Sequence, residues 1–371
     1  MPKPRILIVD DSVVIRRSLT VALSHELDFE VVGSAPSGRI ALMKVATAHP
    51  DVVVLALEMP EMDGLKTLAA IRRDYPRVSV IMLSGTTEQA AAKTLDALTL
   101  GARDYVTKPI VGLGFDDALR TVSSDLAAKI RLCCRDMSTG DSSGVKESNC
   151  GGTAPSASTE QAKRVDVLAI GVSTGGPNAL MELIPQLPAD FPVPIVIVQH
   201  MPPIFTRLLA ERLAGKCKIR VVEGGPHQEL APGGAWIAPG DFHMSVVKEG
   251  DTVRVVTHQG PPENSCRPAV DVLFRSVAQV YQSHVLAVVM TGMGQDGLRG
   301  CKQIHAAGGQ VLVQNEASSV VWGMPSFVVK AGIVDRILPL DELGAEIVSR
   351  VRKCRSDKNT RVVGRPAGVR S

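Results

Sequence analysis

The sequence predicts an α/β protein of two doubly wound domains, and three observations carry that reading. Short apolar runs alternate with helix-period segments over residues 5–122, and the alternation resumes at Val165 after a break. The runs are continuously apolar, as in parallel strands buried on both faces, and the helices between them supply the cover. The chain has 371 residues, room for two domains at ~150 residues each.

In the first half, strands are predicted at Arg5–Val9, Glu30–Ala35, Val52–Leu57, Ser79–Ser84 and Asp104–Thr107. Helices fall between them, near Ser12–Ser24, Gly38–Ala48, Gly64–Asp74, Gln89–Leu100 and Gly114–Lys129. This defines a domain over 4–122. Residues 123–164 read as a flexible linker, because Asp136–Ala162 is rich in Ser, Gly, Thr and Ala without sustained apolar periodicity.

A second domain spans 165–353. Its strands are predicted at Val165–Gly171, Pro194–Gln199, Ile219–Val222, Gly234–Ala238, His243–Val247, Thr252–Val256, Val285–Met290 and Gln310–Val313. Its helices are predicted at Pro177–Leu187, Ile204–Ala214, Ala269–Tyr281, Gln295–Ala307 and Pro325–Ala331, with Arg336–Leu340 leading to a last helix near Asp341–Arg352. Gly234–Val256 reads as short antiparallel strands, so this sheet is expected to be mixed. Residues 354–371 read as a basic, disordered tail.

Composition excludes several classes. Hydrophobic residues make up 45% and charged residues 21%, which fits a globular chain rather than a disordered one. Aromatics are only 3%, too few for base-stacking platforms. The net charge of +3 sits in the tail: the net is −1 over 1–122, +1 over 123–164, −1 over 165–353 and +4 over 354–371. Neither domain is a basic surface, and no helix-turn-helix signature is present, so no nucleic-acid partner is expected. The seven cysteines are odd in number and include no CxxC, which supports neither a disulfide framework nor a zinc site and fits a reducing cytoplasm. No run of ~18 apolar residues exists, so membrane insertion is not expected.

Asp10-Asp11 follow the first strand, Ser84 ends the fourth and Lys108-Pro109 follow the fifth. The carboxyl ends of parallel strands form the ligand edge, and paired acids there suit a hard divalent cation. The competing reading is that one of the acids caps the next helix. These residues, with the run Glu58-Met59-Pro60-Glu61-Met62-Asp63-Gly64 and the stretch Gly101–Tyr105, resemble the receiver domain of two-component response regulators. That resemblance implies a flavodoxin-like fold, Mg²⁺ at Asp10 and Asp11, and a phosphoryl-accepting aspartate two residues before Glu58. That position is Ala56. A methyl group forms no acyl phosphate and removes a cation ligand, so the domain is expected not to be phosphorylated and any Mg²⁺ site to be weak. Glu58 starts from a different place on the strand, and Asp51 lies at its wrong end.

In the second half, Gly171-Val172-Ser173-Thr174-Gly175 reads G-x-S-x-G between a strand and a helix. This context exposes a serine nucleophile beside a helix N-terminus, whose N–H groups can hold an oxyanion. Alone, the pattern fits an N-cap equally well. A serine needs a base: His200 ends the Pro194–Gln199 run on the same sheet edge, with His243 as second choice. A third group must orient the imidazole, and Asp296, in Thr291–Gly297, is placed for it, although it could cap the next helix instead. The order Ser…His…Asp departs from the usual α/β-hydrolase order.

Ile170–Gly176, Gln199–Pro203, Ala238–Met244, Arg267–Phe274, Thr291–Gly297 and Gly323-Met324-Pro325 together resemble the catalytic domain of chemotaxis protein-glutamate methylesterases, as does the receiver–linker–esterase order. The resemblance implies a doubly wound α/β hydrolase domain with a mainly parallel sheet and a β-hairpin insertion. It places the nucleophile at Ser173, the base at His200, the aspartate at Asp296, an oxyanion-hole N–H at Met293 and a positioning threonine at Thr174. It implies hydrolysis of glutamate methyl esters and deamidation of glutamines on methyl-accepting chemotaxis receptors, without a catalytic cofactor, in the cytoplasm. A chemotaxis histidine kinase becomes an expected partner; in the family the unphosphorylated receiver limits access to the site, and with Ala56 this chain is expected to be constitutively restrained, constitutively open or controlled by a partner of the first domain. The alternative is a non-enzymatic docking or scaffold protein of a chemosensory array. A DNA-binding response regulator is disfavoured by the neutral domains.

Overall fold

The computed structural model describes residues 3–109, 114–138 and 163–360, with backbone alone for 135–138 and 354–360. The chain divides into two compact units, Met1–Gly152 and Thr153–Ser371.

The first unit holds β1 (Arg5–Val9), α1 (Val13–Ser24), β2 (Glu30–Ala35), α2 (Gly38–Ala48), β3 (Val52–Ala56), α3 (Gly64–Asp74), β4 (Ser79–Ser84), α4 (Glu88–Thr99), β5 (Asp104–Thr107) and α5 (Phe115–Ser138). The sheet runs β2-β1-β3-β4-β5 and is parallel throughout. Helix starts are set locally: the Ser12 hydroxyl accepts the Ile15 N–H (3.4 Å), the Asp63 carboxylate the Lys66 N–H (2.8 Å) and the Thr87 hydroxyl the Ala90 N–H (3.2 Å). Ile6, Ile8, Val52, Val54, Ile81 and Leu83 form one side of the core, and Leu19, Leu23, Leu126 and Ile130 close over them.

The linker expectation for 123–164 is corrected at its start. Helix α5 continues to Ser138 because Leu126, Ala127, Ile130 and Cys133 form a buried stripe at helical spacing. Residues 139–162 of that linker lie outside the described residues.

The second unit holds β6 (Val167–Val172), α6 (Gly176–Leu183), β7 (Ile195–Gln199), α7 (Phe205–Ala214), β8 (Arg220–Glu223), β9 (Gly234–Ile237), β10 (His243–Glu249), β11 (Thr252–His258), α8 (Val270–Tyr281), β12 (Val285–Val289), α9 (Leu298–Ala306), β13 (Gln310–Gln314), α10 (Gly323–Lys330), β14 (Arg336–Leu338) and α11 (Leu340–Thr360). Pro185, in the short 3₁₀ turn Ile184–Gln186, follows the end of α6. Its missing N–H breaks the helical ladder there.

The seven strands run β14-β13-β12-β6-β7-β9-β8, and every pairing is parallel. The expectation of a mixed sheet is therefore wrong. Gly234–Ile237 pairs in parallel inside the main sheet, and the antiparallel signal comes from β10 and β11, which form a separate hairpin. Met244, Val246 and Val255 of the hairpin share a core with Val270, Leu273, Phe274 and Val277 of α8. Helix α11 extends to Thr360, so the disordered-tail expectation is overturned for 354–360; residues 361–371 lie outside the described residues.

The first strand of this unit lies mid-sheet, with β7 on one side and β12 on the other. Chain progression reverses there, so the carboxyl ends of β7, β6 and β12 flank the crevice where open α/β sheets bind ligands.

Candidate active site

Ser173 follows β6, His200 follows β7, and the loop Thr291–Gly297 follows β12. The three strand ends are stitched together by backbone. The Ser173 N–H donates to Thr291 O (3.0 Å), and the His200 N–H donates to Val172 O (3.2 Å). The Ser173 carbonyl accepts the Gly176 N–H (2.8 Å) and Gln199 Nε2 (2.9 Å). Gly175 turns the chain into α6 at φ +77°, a conformation that favours glycine. Gly292 packs against the serine itself: a Cβ there would lie 2.8 Å from Ser173 Cβ and 2.5 Å from Met324 Sδ.

His200 Nε2 donates to Asp296 Oδ2 at 2.8 Å. Asp296 is buried and is held mainly by the N-terminus of α8. Its carboxylate accepts the N–H groups of Val270 (2.6 Å), Asp271 (3.0 Å) and Gly297 (3.0 Å), and Asn264 Nδ2 (2.8 Å). It orients the histidine, whereas the cap position of α9 is Gly297, without a side-chain capping bond, so the capping reading of Asp296 is not supported. The N-terminal end of a helix favours a carboxylate. Burial alone would raise the Asp296 pKa, but the His200 hydrogen bond, its charge and the α8 N–H groups pull it below the usual range. Burial alone would lower the imidazole pKa, yet the hydrogen bonds and charges of Asp296 and Cys266 raise it above the ordinary histidine value.

Met293 and Thr174 flank Ser173. Among the described residues no acceptor is found for the N–H of Met293 or of Thr174. Thr174 is held through its carbonyl, which accepts Thr291 Oγ1 at 2.8 Å. His243, the second choice for a base, is buried. Its Nε2 donates to Pro261 O (3.0 Å) and its Nδ1 accepts the Ala269 N–H (3.2 Å), so both nitrogens are committed to holding the hairpin.

Sequence reasoning missed Asn264 and Cys266, and it ranked Asp271 below Asp296 as the acid for the imidazole. Asn264 Nδ2 bridges Asp296 and Asp271 Oδ2 (3.0 Å), and Cys266 Sγ lies 3.6 Å from His200 Nδ1. Their only sequence signal is position, just before and within the Arg267–Phe274 stretch.

In the first unit, Lys108 Nζ lies 2.6 Å from Asp10 Oδ2, and Asp10 Oδ1 accepts the Ser12 N–H (2.9 Å). Asp10 is buried, which raises its pKa against the opposing pull of Lys108. Ser84 Oγ lies 2.6 Å from Thr94 Oγ1. Ala56 is buried at the end of β3, whereas Asp11 and Glu58 are exposed. Asp51 Oδ2 accepts the Arg5 N–H (2.8 Å) at the opposite end of the sheet. A divalent cation needs several oxygen ligands. Here Asp10 is already paired with a lysine and the third carboxylate position is a methyl, so these residues do not fit Mg²⁺. Among the described residues, no group of three or more His, Cys, Asp or Glu side chains is placed to hold a metal, and no helix is long and apolar enough to cross a membrane.

The fold and site define a protein class: a receiver unit followed by a unit of serine-hydrolase type. The chain matches the CheB methylesterase family over residues 168–347 and the response regulator receiver domain over 6–115. A protein-glutamate methylesterase/protein-glutamine glutaminase of Trichodesmium erythraeum is 53% identical over 95% of this chain and 100% of its own length. A protein of the same name from Nocardioides is 46% identical, covering 96% of this chain and 97% of its own. The crystal structure of the Thermotoga maritima CheB methylesterase catalytic domain is 39% identical over 50% of this chain and 98% of that one, with a TM-score of 0.49. The chain belongs to the family of receiver-linked protein-glutamate methylesterases/protein-glutamine glutaminases.

Proposed function

We propose that this chain hydrolyses methyl esters of glutamate side chains, and deamidates glutamines, on methyl-accepting chemotaxis receptors in the cytoplasm. The observation that carries the mechanism is the His200–Asp296 pair on the strand-end edge that also presents Ser173. With Nε2 given to Asp296, Nδ1 is the basic nitrogen. Ser173 Oγ attacks the ester carbonyl as Nδ1 takes its proton, and the oxyanion turns to the N–H groups of Met293 and Thr174. Collapse returns that proton to the leaving group as methanol, or as ammonia from a glutamine. Water then attacks the glutamyl ester of Ser173 by the same proton path, freeing the carboxylate and the enzyme. No step requires a metal or cofactor.

The receiver unit of this reading takes no phosphoryl group, because Ala56 stands at the acceptor position and Lys108 is paired with Asp10. A chemotaxis histidine kinase would then act on it by binding. The test of the enzyme reading is methanol release from methylated receptor membranes, with Ser173→Ala as control. Loss of release in the variant supports hydrolysis; equal release from both proteins returns the chain to the docking-protein alternative.

A further inference from the structure

Because Nε2 is committed to Asp296, only Nδ1 of His200 can serve Ser173. Yet the Ser173 hydroxyl has no hydrogen-bond partner among the described residues, and Nδ1 faces a thiol, Cys266 Sγ at 3.6 Å. The thiol is delivered by a built device. The Glu263 N–H donates to Cys266 O (3.1 Å) and the Cys266 N–H donates to Glu263 O (2.9 Å). Asn264 and Ser265 between them both have left-handed backbone, at φ +52° and +62°, the conformation of a two-residue hairpin turn. Asn264 ties this turn to Asp296 and Asp271, and Glu263 ties it to Arg275 through two contacts of 2.8 and 2.5 Å. One tight turn therefore touches both the aspartate and the histidine. Cys266 is half-buried, so packing alone gives no reason for its sulfur to face the ring nitrogen.

We propose that Cys266 is a positioning residue for the base: its thiol holds His200 Nδ1 in the resting enzyme, and hydrolysis begins when Nδ1 leaves Sγ for Ser173 Oγ. This rests on the serine-hydrolase reading above and adds a competitor for the base that the reading does not contain. Two groups face the imidazole directly, Asp296 from the loop after β12 and Cys266 from the turn before α8. Asp271, Glu263 and Arg275 stand behind Asp296. Both direct neighbours favour the protonated ring, so removing the sulfur lets the base lose its proton at lower pH.

The experiment is hydrolysis of a nitrophenyl ester by the full chain across pH, comparing the unaltered protein with Cys266→Ala, Cys266→Ser and Ser173→Ala. Cys266→Ala is expected to move the acid limb down by roughly half a pH unit, about a three-fold gain at pH 6 relative to its own plateau. Cys266→Ser, which keeps an acceptor for the protonated Nδ1–H, should move it less. A loss of rate at all pH values with an unmoved limb marks a purely structural residue and overturns the proposal. A second measurement acts on the unaltered protein, with Cys266→Ala as its control. Methyl methanethiosulfonate transfers a methylthio group to Sγ: the new S–S bond forms, the sulfur–sulfonyl bond breaks, methanesulfinate leaves, and the thiol proton passes by Nδ1 to water. Labelling at Cys266, located by peptide mass, should abolish hydrolysis, while the Cys266→Ala protein under the same treatment keeps its own rate. Full activity of the labelled native protein, or equal inhibition of the variant, rejects the role. Ser173→Ala separates the two readings, since hydrolysis that survives it removes the serine mechanism itself.

Discussion

Asp296 accepts five hydrogen bonds, and together they decide what kind of base His200 is. A carboxylate so well solvated by fixed donors stays ionised, and its charge holds the imidazole in its protonated form to higher pH. The sign of the pH dependence follows. The base must be neutral to take the serine proton, and its pKa in the folded protein is raised, so the rate should climb with pH along a limb centred above the ~6.5 of a free imidazole. Asp296→Asn removes that charge and disturbs the tautomer. It should shift the limb downward and cut kcat by about 10³–10⁴-fold, measured as ester hydrolysis from pH 5 to 9; an unmoved limb contradicts the electrostatic account. Much of this was readable: Ser173, His200 and Asp296 each end a recognisable apolar strand or follow one. What was not readable is that Asp296 rests on α8, because Val270 and Asp271 are about 25 residues away and only the fold brings their N–H groups to it.

The parallel strands showed plainly at the scale of elements, since a run such as Ile195–Gln199 is buried at every position and leaves a continuous apolar signature. The errors fall where two signals compete. The Ser-, Gly- and Thr-rich composition of Asp136–Ala162 reads as linker and draws the boundary back to 123, while the four-residue-spaced stripe Leu126, Ile130 and its neighbours decides the helix. Ile130 is fully buried in the first unit's core, so Ile130→Ala should destabilise that unit by about 2–4 kcal/mol. Chemical denaturation with a probe on the first unit measures this; a change below about 0.5 kcal/mol, the level of surface substitutions, would return the segment to a linker. The loop after β12 makes a complementary case. Gly292→Ala forces a methyl into Ser173 Cβ and Met324 Sδ. Its expected effect is a loss of hydrolysis of about 10²-fold or more from displacement of the nucleophile, with the melting curve showing whether the fold survives. An active Gly292→Ala protein would mean that the two strand ends are not pressed together.

The whole molecule joins a unit whose strand ends carry Ser173, His200 and Asp296 to another whose β3 ends in a methyl, Ala56. The consequence concerns control. A receiver can transmit a phosphorylation signal only if a carboxylate accepts the group and the pocket then changes its contacts. Here Ala56 supplies no acceptor, and the lysine that would meet a phosphoryl group is already against Asp10 at 2.6 Å. On the reading proposed above, neither half of the switch is in place, and restoring one should not restore both. Acetyl phosphate with Mg²⁺ should leave the mass of the full chain unchanged and its methanol release within about two-fold of the untreated rate, well under the 5–150-fold span of typical allosteric couplings. The Ala56→Asp chain should gain one phosphoryl group under the same treatment, which shows that the reagent and the rest of the pocket are competent. Comparing the full chain with one beginning near Val165 then isolates restraint by the first unit from phosphorylation. A faster short chain with an unresponsive full chain means standing restraint released by something other than phosphate, and equal rates mean the first unit has left the control of catalysis. A tenfold rise in the full chain's rate on phosphodonor, or a labelled native protein, would defeat the view that this receiver unit works without phosphate.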